Sequence, residues 1–277
     1  MKKLVTRAAV LSGACLLALT PALATHSWGG YHWATNGSGL SVKVNSAVTP
    51  EWSAYVNTAI TDWDSSRVLA LTSQTASGIN PKTCNPIAGQ ILVCNAAYGQ
   101  RGWLGIASIW LSNGHITQGT TKLNDTYYAM AFYNTPAWRA AVACQEVGHD
   151  FGLDHQDEAF DNFNLGSCMD YSRNPGGGLY NGVDYGASNE HPNKHDYDQL
   201  KSIYGHDDGF TTATSSVGKT AQAGLSSAGA GDSPPEWGRS IHRDSEGRPD
   251  VFSKDLGGGQ KVITHVLWAI DEGPGNS

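Results

Sequence analysis

The sequence predicts an α+β domain with a short β-rich appendage at its C-terminal end, and three observations carry that reading. Leu40, Val42 and Val44 alternate with polar neighbours, as in a half-buried strand, and lead directly into a segment of helical periodicity. A second helix, opened by Thr135-Pro136, should run to about His149 or Asp150. Beyond a Ser/Thr/Ala/Gly-rich stretch, Val262, Thr264, Val266 and Trp268 alternate with Ile263, His265 and Leu267, which restores strand character.

The first 24 residues read as a targeting segment: Lys2, Lys3 and Arg7, an apolar run from Ala8 to Leu19, and Ala22-Leu23-Ala24 as a cleavage site. That apolar run is too short to span a bilayer. A secreted, extracellular protein cut before Thr25 is expected, with no membrane contact in its mature form. The whole chain has formal charge −7, and three of its 18 Lys and Arg fall in the leader, so the mature form is more acidic still. Nucleic-acid binding rewards a basic face and is not expected here. Four cysteines follow the leader, Cys84, Cys94, Cys144 and Cys168; in an exported chain they read as two disulfides with three possible connectivities.

Residues 25–39 form an N-terminal arm rich in Gly, His and Trp, whose His26 and His32 are expected to be solvated. After the first strand, Thr49 should cap a helix with Pro50 at its first position. Trp52, Tyr55, Val56, Ala59, Ile60 and Trp63 would form its buried stripe. Val68–Thr72 and Gln90–Asn95 read as short strands, with Asn85-Pro86 marking a turn between Cys84 and Cys94. Gly105–Leu111 reads as another strand, ending at the hairpin signal Asn113-Gly114. Residues 156–166 suit an acidic solvated loop rather than a calcium site.

The chemistry concentrates in residues 144–155, Cys-Gln-Glu-Val-Gly-His-Asp-Phe-Gly-Leu-Asp-His. Gln145 and His149 are four apart and share a helical face, with Glu146 beside them. Gly152 can turn the chain back so that His155 points at the same spot. Two imidazoles, a further polar ligand and a carboxylate suit a hydrolytic zinc site.

This stretch resembles the metzincin zinc peptidases, with their H-E-x-x-H-x-x-G-x-x-H signature and downstream Met-turn. Glu146, His149, Gly152 and His155 match, whereas Gln145 stands in place of the first zinc-binding His. Ser167-Cys168-Met169-Asp170-Tyr171 is similar to the Met-turn of the astacin and serralysin branches. The resemblance implies a catalytic domain over 25–205, with a small, mostly parallel twisted sheet, three main helices and an edge strand beside the cleft. A protein or peptide substrate would pair with that edge at Ile109–Leu111. It implies Zn2+ held by Gln145, His149 and His155, with Glu146 as general base, Tyr171 at the oxyanion and Met169 beneath the metal. It also implies a Cys144–Cys168 disulfide fastening helix to Met-turn, which leaves Cys84–Cys94 as the other.

His195-Asp196-Tyr197-Asp198-Gln199-Leu200 resembles the helix that closes such a domain, here expected over 191–204, with His191 and His195 as surface histidines. Residues 206–236 have linker composition, and 237–277 form the β-rich C-terminal segment. No inhibitory propeptide is expected, and the protein should be monomeric. Two further function classes compete with the zinc endopeptidase: a non-catalytic metzincin-fold pseudopeptidase acting as an extracellular binding protein, and a carbohydrate-binding module or adhesin drawing on the nine Trp.

Overall fold

The computed structural model describes residues 26–37, 39–213 and 228–270. The expected leader and residues 214–227 of the Ser/Thr/Ala/Gly-rich stretch lie outside them. In chain order the elements are β1 (His32–Trp33), β2 (Leu40–Ala47), α1 (Pro50–Asp64), β3 (Leu69–Thr75), β4 (Ile91–Ala96), β5 (Trp103–Ser112), β6 (His115–Asn124), α2 (Asp125–Tyr128) and α3 (Pro136–His149). There follow β7 (Leu179–Tyr180), β8 (Val183–Asp184), α4 (Lys194–Ile203), α5 (Pro234–Trp237), β9 (Arg239–Arg243), β10 (Pro249–Gly257) and β11 (Gln260–Trp268).

Helix positions follow the local signals, with one difference. Thr135 caps α3 by accepting from the Trp138 N–H, and Asn193 and Asp196 form a reciprocal capping box on α4. Thr49 precedes α1 in extended conformation but makes no side-chain cap. Asn95 explains this: its amide donates to the Thr49 hydroxyl and its oxygen accepts from the Thr49 N–H, tying the helix start to β4.

The large sheet runs β3-β2-β4-β6-β5-β11-β10-β9, and β1 adds to β6. The β3-β2-β4-β6 half is parallel. From β6 onward every pairing on this path is antiparallel. Asn113 and Gly114, at φ 51° and 90°, make the tight β5–β6 turn that their sequence signalled.

The C-terminal strands overturn two expectations. They are not an appendage beside a small sheet; β11 pairs with β5 along its whole length, from Gln260 opposite Ser112 to Trp268 opposite Trp103. Consequently β5 is not an edge. The backbone expected to receive a peptide faces Lys261, Val262 and Ile263 of the chain's own C-terminal strand. Burial is the physical reason: nine of the ten β5 residues are buried, so an uncovered flank would expose apolar surface and unpaired backbone. Ile263, Leu267, Ala269 and Ile270 join the main core with Ile109, Leu111 and α3.

The N-terminal arm is also built in. Ser27 bridges Leu153, and the Trp28 N–H donates to Gly152 O at 2.8 Å. Residues 206–213 lie against the arm, with the Asp208 N–H on Thr35 O and the Thr212 N–H on Ala34 O. Both expected disulfides are present, Cys84–Cys94 and Cys144–Cys168, with Cα separations of 6.0 and 5.9 Å. No described helix is long and apolar enough to cross a membrane.

Candidate metal centre

Helix α3 is buried over its last turns, where it passes beneath the sheet. It delivers Gln145, Glu146 and His149 into the interior. The chain then reverses at Gly152, whose φ is 86°. A Cβ there would lie 2.1 Å from Tyr31 O, so both the turn and the passing N-terminal arm require glycine. The reversal brings His155 back to His149, with their Nε2 atoms 3.1 Å apart.

The other nitrogen of each ring is already engaged. His149 Nδ1 lies 2.8 Å from Leu153 O, and His155 Nδ1 lies 3.1 Å from the Glu158 carboxylate. These partners place the ring protons on Nδ1 and leave two Nε2 lone pairs facing each other. Burial, reinforced by His265, holds both imidazoles well below the usual histidine range, so they are neutral at pH 7. Ligands of a tetrahedral zinc at about 2.05 Å stand about 3.3 Å apart, close to this spacing.

A third imidazole completes the group. His265 of β11 is fully buried, its ring centroid 4.1 Å from that of His149 and 4.5 Å from that of His155. One nitrogen from each of the three rings falls within 4.8 Å of the others. His265 Nδ1 has no hydrogen-bond partner, while Nε2 lies 3.5 Å from the Tyr171 hydroxyl and 3.8 Å from Asp250 Oδ2. Asp250 accepts from His242 Nδ1 at 2.9 Å. Burial alone would raise the Asp250 carboxyl, but its contacts with His265 and His242 outweigh it and keep it charged. Glu158 and Asp250 thus orient the rings from outside, as carboxylates do behind metal-bound histidines.

The remaining sequence-derived residues are placed as follows. Gln145 is buried, and its amide nitrogen donates to Cys168 O at 2.9 Å while its oxygen is unpartnered. The side chain therefore fastens α3 to the segment carrying Cys168, beside the Cys144–Cys168 bridge. Tyr171 packs its ring 4.2 Å from His155. Met169 is fully buried and packs its sulfur against Gly148 of α3. Glu146 faces β5, where a Cβ on Gly105 would come within 2.5 Å of its carboxylate. Neither Glu146 oxygen has a partner, and burial, with Asp150 adding to it, pushes its pKa well above the ordinary value. Leu267 of β11 lines a small cavity with Gln145, Trp138, Cys168, Tyr171 and Pro175.

Sequence reasoning missed His265. Its one signal is a titratable residue between Ile263 and Leu267 on one side of the strand. Nothing local places that strand beside α3, because His265 pairs with Ala107, 158 residues earlier in the chain. The arm histidines also differ from expectation. His26 is buried against Asp196 at 3.2 Å, and His32 stands among other histidines. His191 pairs with Asp62, whereas His195 stacks on His26, so these two serve separate contacts.

No family model and no curated protein matches the chain. Among solved structures it is similar to high choriolytic enzyme 1, a hatching-enzyme zinc-protease from the medaka fish Oryzias latipes. That match has TM-score 0.35 and 11% identity, over 64% of this chain and 94% of that one. Myroilysin matches with TM-score 0.35 and 10% identity, over 65% of this chain and 98% of that one.

Proposed function

We propose that the chain is a secreted zinc metallopeptidase whose metal ligands are His149, His155 and His265, the last supplied by the C-terminal strand. The observation that carries this is the convergence of three buried imidazoles, two of which have their outer nitrogens already engaged. Neutral nitrogen donors in a tetrahedral spacing suit zinc. The unpartnered His265 Nδ1, Gln145 oxygen and Glu146 carboxylate are buried polar atoms that a bound ion and water would satisfy. Zinc at this centre supplies Lewis-acid polarisation of a carbonyl and acidifies water near neutral pH.

The chain's own groups do the rest. Glu146, dry and of raised pKa, takes a proton from water and hands it to the departing amine. Tyr171, whose hydroxyl stays protonated because burial raises its pKa, donates a hydrogen bond to the developing oxyanion. In this reading Gln145 holds the Met-turn and leaves the third ligand position to His265. The leader and the two disulfides support export.

A second reading has one specific observation in its favour. Because β11 covers β5 and Leu267 lines the cavity, a peptide cannot add to that strand while the C-terminal segment is seated. That favours the metal-binding pseudopeptidase. Hydrolysis of an unfolded protein by the zinc-loaded chain separates the two. On the peptidase reading Glu146→Gln loses turnover at least 100-fold, on the order of a general base's share, with zinc content unchanged. Turnover unaffected by Glu146→Gln, or absent from the zinc-loaded parent, would end the peptidase reading.

A further inference from the structure

A second cluster of imidazoles lies away from the α3 centre, where three distant parts of the chain meet. His32 comes from β1, His115 from the start of β6, and His206 and Asp208 from the segment after α4. Asp208 Oδ1 lies 3.4 Å from His32 Nε2, 3.3 Å from His115 Nε2 and 3.2 Å from His206 Nε2. His32 Nε2 and His206 Nε2 are 3.0 Å apart. The His32, His206 and Asp208 atoms thus form a triangle with sides of 3.0–3.4 Å, matching one face of a tetrahedral zinc site at about 3.3 Å.

Each ligand atom is held from behind. His32 Nδ1 lies 3.0 Å from Gly30 O, which puts its proton on Nδ1 and turns the Nε2 lone pair inward. Asp208 Oδ2 accepts the Thr35 N–H at 2.8 Å, which leaves Oδ1 for the cluster. Among the described residues, every ion pair of Asp208 is to an imidazole. His32 Nε2 faces both a carboxylate oxygen and another ring nitrogen, a gap that a cation would bridge.

We infer that His32, His206 and Asp208, with His115 as the nearest further donor, form a second site for a zinc-class divalent cation, distinct from the α3 centre. Its donors are nitrogen and oxygen without thiolate, which suits Zn2+ and excludes a soft-metal preference. The site is structural: it pins β1, the β5–β6 hairpin and the segment after α4 to one point. His206 is 47% exposed at its side chain, so the ion can exchange with solvent. The same arm carries Trp28 against His149 and His265, so the second ion also steadies the cover of the first centre.

Metal analysis of the full chain after equilibration with zinc and removal of loosely held ion tests this. The parent should retain two zinc per chain; His206→Ala and Asp208→Asn should each retain one. Competition with a chelator should show the weaker equivalent released more than about 100-fold more readily in His206→Ala. His206→Ala is at a half-exposed position and should fold normally, which melting confirms. His265→Ala removes the other equivalent, so the two sites fail separately. If the peptidase centre does not hold metal, the parent retains one zinc and His206→Ala none. Parental stoichiometry in both His206→Ala and Asp208→Asn, or occupancy only above about 100 µM free zinc, would overturn the inference.

Discussion

Replacing Ile263 by alanine tests whether the C-terminal strands belong to the core. Ile263 is fully buried, sits opposite the equally buried Ile109, and belongs to the main core cluster rather than to a separate one. Deleting its three outer carbons removes apolar burial and leaves a cavity that two flanking strands, β5 and β10, restrain from collapsing. Such truncations cost about 2–5 kcal/mol, and the enclosed position places this one at about 3 kcal/mol. For a domain of this size, that corresponds to a fall in Tm of about 6–12 °C. Differential scanning calorimetry of the metal-free protein should show one cooperative transition, displaced as a whole. A main transition that stays within about 2 °C, with a separate early transition for the C-terminal strands, would refute the reasoning.

Two other outcomes follow from the same contacts. Removing the Cys144–Cys168 bridge, which spans 24 positions, should cost ~3.5 kcal/mol by the loop-entropy model; denaturant titration of the double Cys→Ala variant measures it, and a loss under 1 kcal/mol would contradict it. Asp170 has its carboxyl pushed up to about 6 by burial, against the bonds it accepts from Leu165 and Asn189. Its folded pKa lies above the unfolded value, so the stability it contributes is complete below pH 4 and lost as pH rises through 6. Both bonds go to Oδ2 and Oδ1 is unpartnered, so Asp170→Asn can keep them. The variant should therefore melt at or above the parent at pH 7.5, with the advantage shrinking by pH 5. A constant difference across that range would argue against it.

Much of the fold was legible because its signals are local. Thr135-Pro136 opening α3, Gly152 ending its turn, the apolar stripe of α1 and the Asn113-Gly114 hairpin each act within a few residues. His149 and His155 meet across the turn at Gly152, and Tyr171 packs on His155. What escaped was long-range. The place of β11 on β5 depends on apolar surface that only the assembled sheet presents, and His265 enters the centre solely through that pairing. Reading 206–236 from composition concealed Asp208, which is held among three imidazoles from elsewhere in the chain. Gln145, expected to offer its amide oxygen to a metal, donates its amide nitrogen to Cys168 O and leaves that oxygen unpartnered.

The central claim is that the third ligand of the α3 centre comes from β11, and zinc affinity of single-ligand variants tests it most directly. In a background carrying His206→Ala, so that only the α3 centre titrates, His265→Ala should weaken zinc binding by more than about 100-fold. Gln145→His should leave the affinity within about threefold of its parent, because the nitrogen position is already filled and the Cys168 contact is lost. The contrary result, unchanged affinity in His265→Ala with a large gain in Gln145→His, would place the third ligand on α3 and contradict the account.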